Sequence, residues 1–278
     1  MNTLQPKEII HTHNADQWNE LRKSGALDRP DLSRCSLKGR DLSRFNLSQS
    51  DLTGTDLSGA RLCQANLEDA NLRQANLSDA DLTEAHLNGA MLMSANLGRA
   101  ILVNASLRQV ELNSARLGQA DLTGADLSRA ILNGANFSQA CLKKADLRNA
   151  RLNATQMTGA DLTGAQLTQA DLSGSIMDGT NLTGALLDKA SLKSAKLKGV
   201  ILRGHNLREV DLSGSNLRGA DLRDTQLEGS NLSQSDLTGA NLGNAQMSHV
   251  RLKRAKGVEA DFTGAKLVAA DLRWAVMN

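Results

Sequence analysis

The sequence predicts an all-β solenoid, in which short extended segments wind the chain into stacked coils around an aliphatic interior. Leucine recurs every fifth residue in one register from position 32 to position 277, and Leu fills 43 of these 50 positions, the Leu column. Two residues earlier lies the Ala column, where 32 of 50 positions are Ala. Two residues after each leucine-column position lies the corner column, which holds 18 of the 23 glycines. One repeated unit without insertions therefore builds residues 30–278.

A period of five residues fits neither regular secondary structure. Five steps along a helix rotate the leucine by about 140°, so the leucines would not share one face. Five is also odd, so successive leucines of a flat strand would point to opposite sides. The chain must therefore bend once in every repeat, and the glycines place the bend in the corner column because glycine accepts backbone conformations that other residues resist.

The spacing of the columns predicts how the coils are built. Ala and Leu, two residues apart, share one face of a three-residue strand, and the residue between them points outward. This outward column is Asp or Asn in 26 of 50 repeats. If each corner turns through about a right angle, four repeats close a coil of twenty residues, and coils stack about 4.8 Å apart. Fifty repeats then predict about 12 coils and a rod about 60 Å long.

These columns resemble the A(D/N)LXX signature of the pentapeptide repeat family. Residues 65–69, 80–84 and 160–164 read ANLED, ADLTE and ADLTG, and the resemblance covers residues 30–278. It implies a right-handed quadrilateral parallel β-helix and a protein that binds other proteins. Some members of the family protect DNA gyrase from quinolones or peptide toxins by imitating DNA. Others are linked to regulation in cyanobacteria, and some are secreted bacterial effectors.

Composition restricts the environment and the partners. The 32 basic and 30 acidic residues are interspersed and leave a net charge of +2, so we expect neither direct nucleic-acid binding nor membrane binding. No apolar run has transmembrane length, and no signal-peptide core follows Met1. Cys35, Cys63 and Cys141 lie too far apart to suggest a disulfide framework. We therefore expect a cytoplasmic protein, with secretion as an effector left open.

Residues 1–29 break the repeat and form a separate N-terminal segment. Asn14 and Gln17 have the spacing of a capping box, which predicts a short helix from about residue 15 to residue 24. This helix would place Trp18 and Leu21 on one face. We interpret the segment as a cap over the first coil, with a targeting or partner-docking role as the alternative. Three Ala-column positions of that coil are occupied by other residues, as expected beneath a cap: Cys35, Arg40 and Phe45.

The C-terminal end of the repeat shows no comparable helix. Trp274, Val276 and Met277 lie in its last repeats, where an uncovered coil would expose strand edges that can pair with another chain. One hypothesis is a homodimer joined through this end. The alternative is that the terminal side chains fold over the end and leave a monomer.

Catalytic and metal-binding signatures are absent from the sequence. No phosphate-binding loop, zinc-protease motif or nucleophile elbow occurs, and an interior filled with Leu and Ala leaves no cavity for a substrate. His11 and His13 have metal-compatible spacing but lack a third ligand. His205 stands in the Ala column and should point inward, where we expect a hydrogen bond with Thr225. The sequence therefore predicts no enzyme, no cofactor and no metal site.

Apolar residues in outward positions are the candidates for partner binding. Positions twenty residues apart share a face, so Met91, Met93 and Ile131 should lie on one face and could form a partner-binding patch. The alternative is scattered surface apolar residues, which are normal in monomers. We therefore predict a non-enzymatic bacterial scaffold that binds a protein partner, in regulation or as an effector.

The alternative function is a DNA-mimicking modulator of DNA gyrase or topoisomerase that gives drug or toxin resistance. Such a protein needs a dominant acidic surface. The face centred on Leu42 carries 8 acidic and 6 basic residues in its outward-pointing columns, a net charge of only −2. The near-neutral face counts against this alternative.

Overall fold

The computed structural model describes residues 5–278. The chain divides into two compact units, Met1–Asn136 and Phe137–Asn278, of which the first is described from Gln5 onwards. Two helices precede the repeats: α1 spans Pro6–Thr12 and α2 spans Ala15–Lys23. Among the described residues, the strand segments are single bridging residues, one in each repeat. Neither helix has the length or the apolar character needed to cross a bilayer.

Parallel β-bridges join outward residues to the residues twenty positions later. In the first unit they run from Asp31 with Asp51 to Arg116 with Asn136. In the second unit they run from Cys141 with Asp161 to Lys256 with Val276. Four repeats therefore close one coil in each unit, as the columns predict. The predicted total of about 12 coils counts the coils of both units together, and it stays a prediction.

The extended segment of each repeat is shorter than the sequence predicts. We expected three-residue strands, but only the outward residue forms a bridge, because a turn begins directly after the leucine. The corner residue of every repeat, from Arg29 to Trp274, has a positive φ. Eighteen of these residues are glycines and 32 are not. Positive φ costs an ordinary L-residue roughly 1–2 kcal/mol, so the stacked hydrogen bonds must offset strain at most corners.

Every backbone N–H of residues 161–165 has an acceptor. Three N–H groups donate to carbonyls of neighbouring coils: Asp161 to Ala140 at 2.9 Å, Leu162 to Asn181 at 2.8 Å and Gly164 to Thr183 at 2.9 Å. The Ala165 N–H closes the corner on the Leu162 carbonyl at 2.9 Å. The Thr163 N–H donates to the Asp161 side chain at 3.0 Å. The side chain of an outward Asp or Asn thus accepts a hydrogen bond from the one backbone N–H of its repeat that has no carbonyl acceptor in a neighbouring coil.

The interior is built from the two apolar columns. Each Leu-column side chain from Leu32 to Leu252 is at most 1% exposed. Gly257, the one small residue in that column, lies beside larger neighbours: the Met277 thioether takes the space that a side chain there would fill, and Phe262 lies 3.5 Å from the same position. Aliphatic burial in the repeats from Leu32 to Leu252 is therefore the main stabilising contribution, whereas Leu272 in the last coil is 42% exposed.

The N-terminal helix α2 forms where the sequence predicts it. The Asn14 side chain accepts from the Gln17 N–H, and the Gln17 side chain accepts from the Asn14 N–H, which completes the capping box. Trp18 is fully buried against Phe45, with ring centroids 6.0 Å apart. Its Nε1 donates to the Asn46 carbonyl at 2.8 Å. Leu21 is half-buried.

Helix α1 was not expected from the sequence. It has no side-chain hydrogen bond at its N-cap and only seven residues, so it carries little local signal. Its stability comes from tertiary contacts: Ile9 and Ile10 are buried, and the Arg40 guanidinium donates to the Ile10 carbonyl at 3.0 Å. The first coil therefore departs from Ala at Arg40 and Phe45, where side chains contact the helices.

Candidate functional site

The outward carboxylates are engaged by their own repeats. Asp171 accepts the Ser173 N–H at 3.0 Å and the Ser173 hydroxyl at 2.5 Å. The Asn153 amide, one coil earlier, donates to the same carboxylate at 2.6 Å. Partial burial alone would raise the pKa of Asp171, but the hydrogen bonds from Ser173 and Asn153 outweigh it and hold the pKa below its ordinary value. These carboxylates are structural groups rather than free acids.

Replacing Asp171 with Asn gives a direct test of this role. A carboxyl whose pKa is lowered by folding stabilises the protein above its unfolded pKa of about 4, and this contribution is lost as the pH falls through the lower folded pKa. Asn keeps the acceptor for the Ser173 N–H but cannot ionise. In urea unfolding, Asp171→Asn should be less stable than the natural chain at pH 7, and the difference should shrink by pH 3. An equal difference at both pH values would contradict this role.

Basic side chains lie beside many of the outward acids and limit the acidic potential of each face. These pairs are exposed or partly exposed and each contributes little to stability. They include Asp41 with Arg61 at 3.8 Å, Asp126 with Arg108 at 2.5 Å, Asp161 with Lys143 at 3.2 Å and Asp221 with Arg223 at 2.6 Å.

The predicted apolar patch lies on one face, but a carboxylate divides it. Met91 bridges to Glu111, and Glu111 bridges to Ile131, so all three belong to one ladder of the first unit. Met93, directly after the buried Leu92, is 36% exposed. A groove of about 450 Å³, lined mainly by polar side chains that include Asp69 and Asn71, lies against Met91. The surface is therefore mixed, with apolar side chains around one acid.

The C-terminal end combines exposed apolar side chains with cations. Trp274 is 64% exposed and Val276 is 49% exposed, whereas Met277 is half-buried beside Gly257. Three cations surround the Trp274 ring: Lys253 at 4.9 Å, Arg254 at 5.5 Å and Arg273 at 5.8 Å from its centroid. The sequence analysis missed this cluster, although the twenty-residue period would have found it, because Arg254 precedes Trp274 by one coil.

The structure contradicts one prediction about the histidines, the hydrogen-bond partner of His205. His205 Nε2 lies 2.8 Å from the Leu182 carbonyl, one coil earlier. The Thr225 hydroxyl donates instead to the Leu222 carbonyl of its own coil at 2.7 Å, so the predicted contact between His205 and Thr225 is wrong. The His13 ring lies 2.9 Å from the Thr12 hydroxyl. Within residues 5–278, no three His, Cys, Asp or Glu side chains lie close enough together to hold a metal ion.

Comparison with solved structures finds similar repeat proteins. HetL, a pentapeptide repeat protein involved in heterocyst differentiation regulation from the cyanobacterium Nostoc sp. strain PCC 7120, is 29% identical over 95% of this chain and 97% of its own, with a TM-score of 0.30. QnrB1, a plasmid-mediated fluoroquinolone resistance protein, is 19% identical over 84% of this chain and 91% of its own, with a TM-score of 0.45. Rfr23 from the cyanobacterium Cyanothece 51142 is 23% identical over 62% of this chain and 94% of its own, with a TM-score of 0.19.

Family membership rests on the repeats themselves. No curated protein matches the chain at a significant level. The family model for pentapeptide repeats matches overlapping segments between residues 31 and 273, and these segments leave only residue 205 of that span uncovered. The family model thus covers most of the sequence, and the same residues form the stacked twenty-residue coils. The chain therefore belongs to the pentapeptide repeat family.

Proposed function

We propose that this protein is a non-enzymatic scaffold that binds a protein partner through the outer faces of its coils. The observation that carries the proposal is the filled interior: Leu-column side chains are at most 1% exposed from Leu32 to Leu252. Chemistry available to another molecule therefore lies in the outward column and in the two positions that follow each Leu-column residue. These columns hold regularly spaced polar side chains on a hydrogen-bonded frame, which suits recognition of an extended protein surface better than enclosure of a small substrate.

The proposed setting is regulation in the bacterial cytoplasm, with action as a secreted effector as the alternative setting. The near balance of acidic and basic residues favours a protein partner over nucleic acid or membrane. Affinity purification from the native host, followed by mass spectrometry, would identify the partner. Recovery of nucleic acid alone would contradict the proposal.

The face that carries Met91 and Met93 is the first surface to test. Replacing both residues with Ser removes two flexible apolar side chains that flank the buried Leu92, and we expect the affinity for the captured partner to fall about tenfold, or about 1.4 kcal/mol. The measurement is calorimetric titration of the partner into each variant.

A matched control lies on the opposite face of the same unit, two repeats along the coil. Ile101 and Val103 flank the buried Leu102 in the same way, and their replacement by Ser should leave the affinity unchanged. Equal losses in both double variants would show that binding does not depend on the methionine face.

The alternative proposal, a DNA-mimicking modulator of DNA gyrase or topoisomerase, requires an acidic surface. The ion pairs and the hydrogen-bonded carboxylates described above weaken that surface, and we place this proposal second. A supercoiling assay with DNA gyrase separates the two: protection of the enzyme from a quinolone would support the alternative, and no effect at saturating protein would remove it.

We also propose a structural role for each end. Helices α1 and α2 act as a cap over the first coil. The exposed Trp274 and Val276 make the C-terminal end the candidate surface for a homodimer, although Lys253, Arg254 and Arg273 would bring like charges together there. Light scattering at high protein concentration distinguishes the dimer from the monomer.

A further inference from the structure

The regular hydrogen-bond ladder of the second unit is interrupted at one place. Elsewhere in this unit, coils are joined by backbone bonds on every face, as between Leu162 and Asn181 at 2.8 Å. Among the described residues, no such bond joins residues 179–189 to residues 198–208, which we call the seam. The bridges that the period would place between residues 181 and 201 and between residues 186 and 206 are also missing.

The bridges and backbone bonds between these two coils are missing only along the seam and resume next to it. The next bridge along the coil, between Ser191 and Asp211, is present, but the Asp211 N–H lies 3.4 Å from the Ala190 carbonyl. One coil earlier, the equivalent distance from Ser191 to Ala170 is 2.9 Å. One bond at the edge of the seam is thus long and the bonds within the seam are absent, as expected for two coils that separate locally.

Burial and surface shape agree with this separation. Ala185 is 5% exposed, whereas Ala165, one coil earlier, is fully buried. Leu186 and Ile201, which border the seam, are 51% and 61% exposed. A cavity of about 240 Å³ occupies the gap, lined by residues that include Gly184, Arg203 and His205.

His205 accounts for the separation. It is the only residue larger than Val in the Ala column between positions 50 and 275. Coils spaced about 4.8 Å apart leave room for a methyl group at this position but not for an imidazole ring. The ring turns towards the preceding coil, where Nε2 lies 2.8 Å from the Leu182 carbonyl. Its Nδ1 lies 3.3 Å from the Arg203 carbonyl of its own coil.

Side-chain bonds keep the separated coils from drifting further apart. The Asn206 amide donates to Asp188 at 2.9 Å, and the Lys198 N–H donates to Asp178 at 2.9 Å. The seam is therefore a defined arrangement, with a few side-chain contacts in place of a continuous backbone ladder.

We propose that the seam is a built-in opening point, at which His205 wedges two coils of the second unit apart. This inference is independent of the proposed function. In a solenoid, each coil is stabilised mainly by its neighbours, so a contact that lacks backbone bonds is the place where the unit opens and bends first. Bending of this unit can thus be confined to the seam without disturbing the remaining coils.

Amide hydrogen exchange followed by NMR tests the proposal in the full chain. The N–H groups of Leu182, Gly184 and Leu187 should exchange at least tenfold faster than those of Leu162, Gly164 and Leu167, their bonded equivalents one coil earlier. His205→Ala restores the residue typical of the column and should slow exchange at the three seam positions at least tenfold. His205→Val, which matches the neighbouring Val200 and Val210, should slow it similarly.

Thr225→Ala is the matched control, because it changes the same column one coil later and leaves the seam untouched. Exchange at Leu182, Gly184 and Leu187 should be the same in this variant as in the natural chain. Seam amides that exchange as slowly as those of the preceding coil would overturn the proposal, and so would fast exchange that persists in both His205 variants.

Discussion

Replacing Trp18 with Ala is expected to lower the free energy of unfolding by about 3–5 kcal/mol. The side chain is fully buried, packs against Phe45 and donates to the Asn46 carbonyl at 2.8 Å. Its loss leaves a cavity between α2 and the first coil and removes the partner of that carbonyl. The measurement is urea unfolding followed by circular dichroism, with hydrogen exchange to show that the first coil opens earliest.

Trp18→Phe separates packing from hydrogen bonding. This variant keeps an aromatic ring against Phe45 but cannot donate to Asn46, so we expect a loss of about 1–2 kcal/mol, smaller than that of the alanine variant. If Trp18→Ala unfolds at the same urea concentration as the natural chain, α2 does not stabilise the coils, and the proposed cap is wrong.

Replacing Leu102 with Ala should lower the free energy of unfolding by about 2–5 kcal/mol. Leu102 is fully buried, and its coil is held by neighbours on both sides that cannot collapse into the space without breaking backbone bonds of 2.6–3.0 Å. In a solenoid the loss should appear locally, as faster amide exchange in the adjacent coils.

Ile101 provides the matched control because it precedes Leu102 and points outward. It is 43% exposed, so Ile101→Ala removes a similar number of carbon atoms but should cost less than about 1 kcal/mol. Equal losses for Ile101→Ala and Leu102→Ala would mean that the two columns do not differ in burial.

The repeat made most of the fold predictable. Because leucine and alanine keep one register, their burial, the twenty-residue coil and the bend after each leucine all follow from the sequence. Helix α2 was predictable because its capping box, Asn14 with Gln17, is also a short-range sequence pattern. Membership of the pentapeptide repeat family also supports the right-handed β-helix that the resemblance implies.

Features set by tertiary contacts were less predictable. Helix α1 depends on contacts such as that between Arg40 and Ile10, which no local pattern announces. Lys253 and Arg254 lie about one coil away from Trp274 in sequence and meet its ring only through the stacking of coils. His205 stood out as an exception in the Ala column, but the missing backbone bonds beside it could be identified only in the structure.

The candidate site was predictable in position rather than in chemistry. The twenty-residue period placed Met91 and Ile131 on one face, and the structure confirms that placement. The same period also places Glu111 between them on that ladder, which the sequence analysis did not consider. Their role in partner binding stays a proposal until the methionine variants are measured.

The filled interior is the central claim, and a crystal structure determined under xenon pressure tests it most directly. Xenon enters apolar cavities that water leaves empty. We predict no xenon between the Leu and Ala columns in the coils from Leu32 to Leu252, with any bound atoms confined to outer grooves. Xenon or a small molecule bound inside a coil would contradict the account, because the interior could then hold a ligand and function would not be restricted to the outer faces.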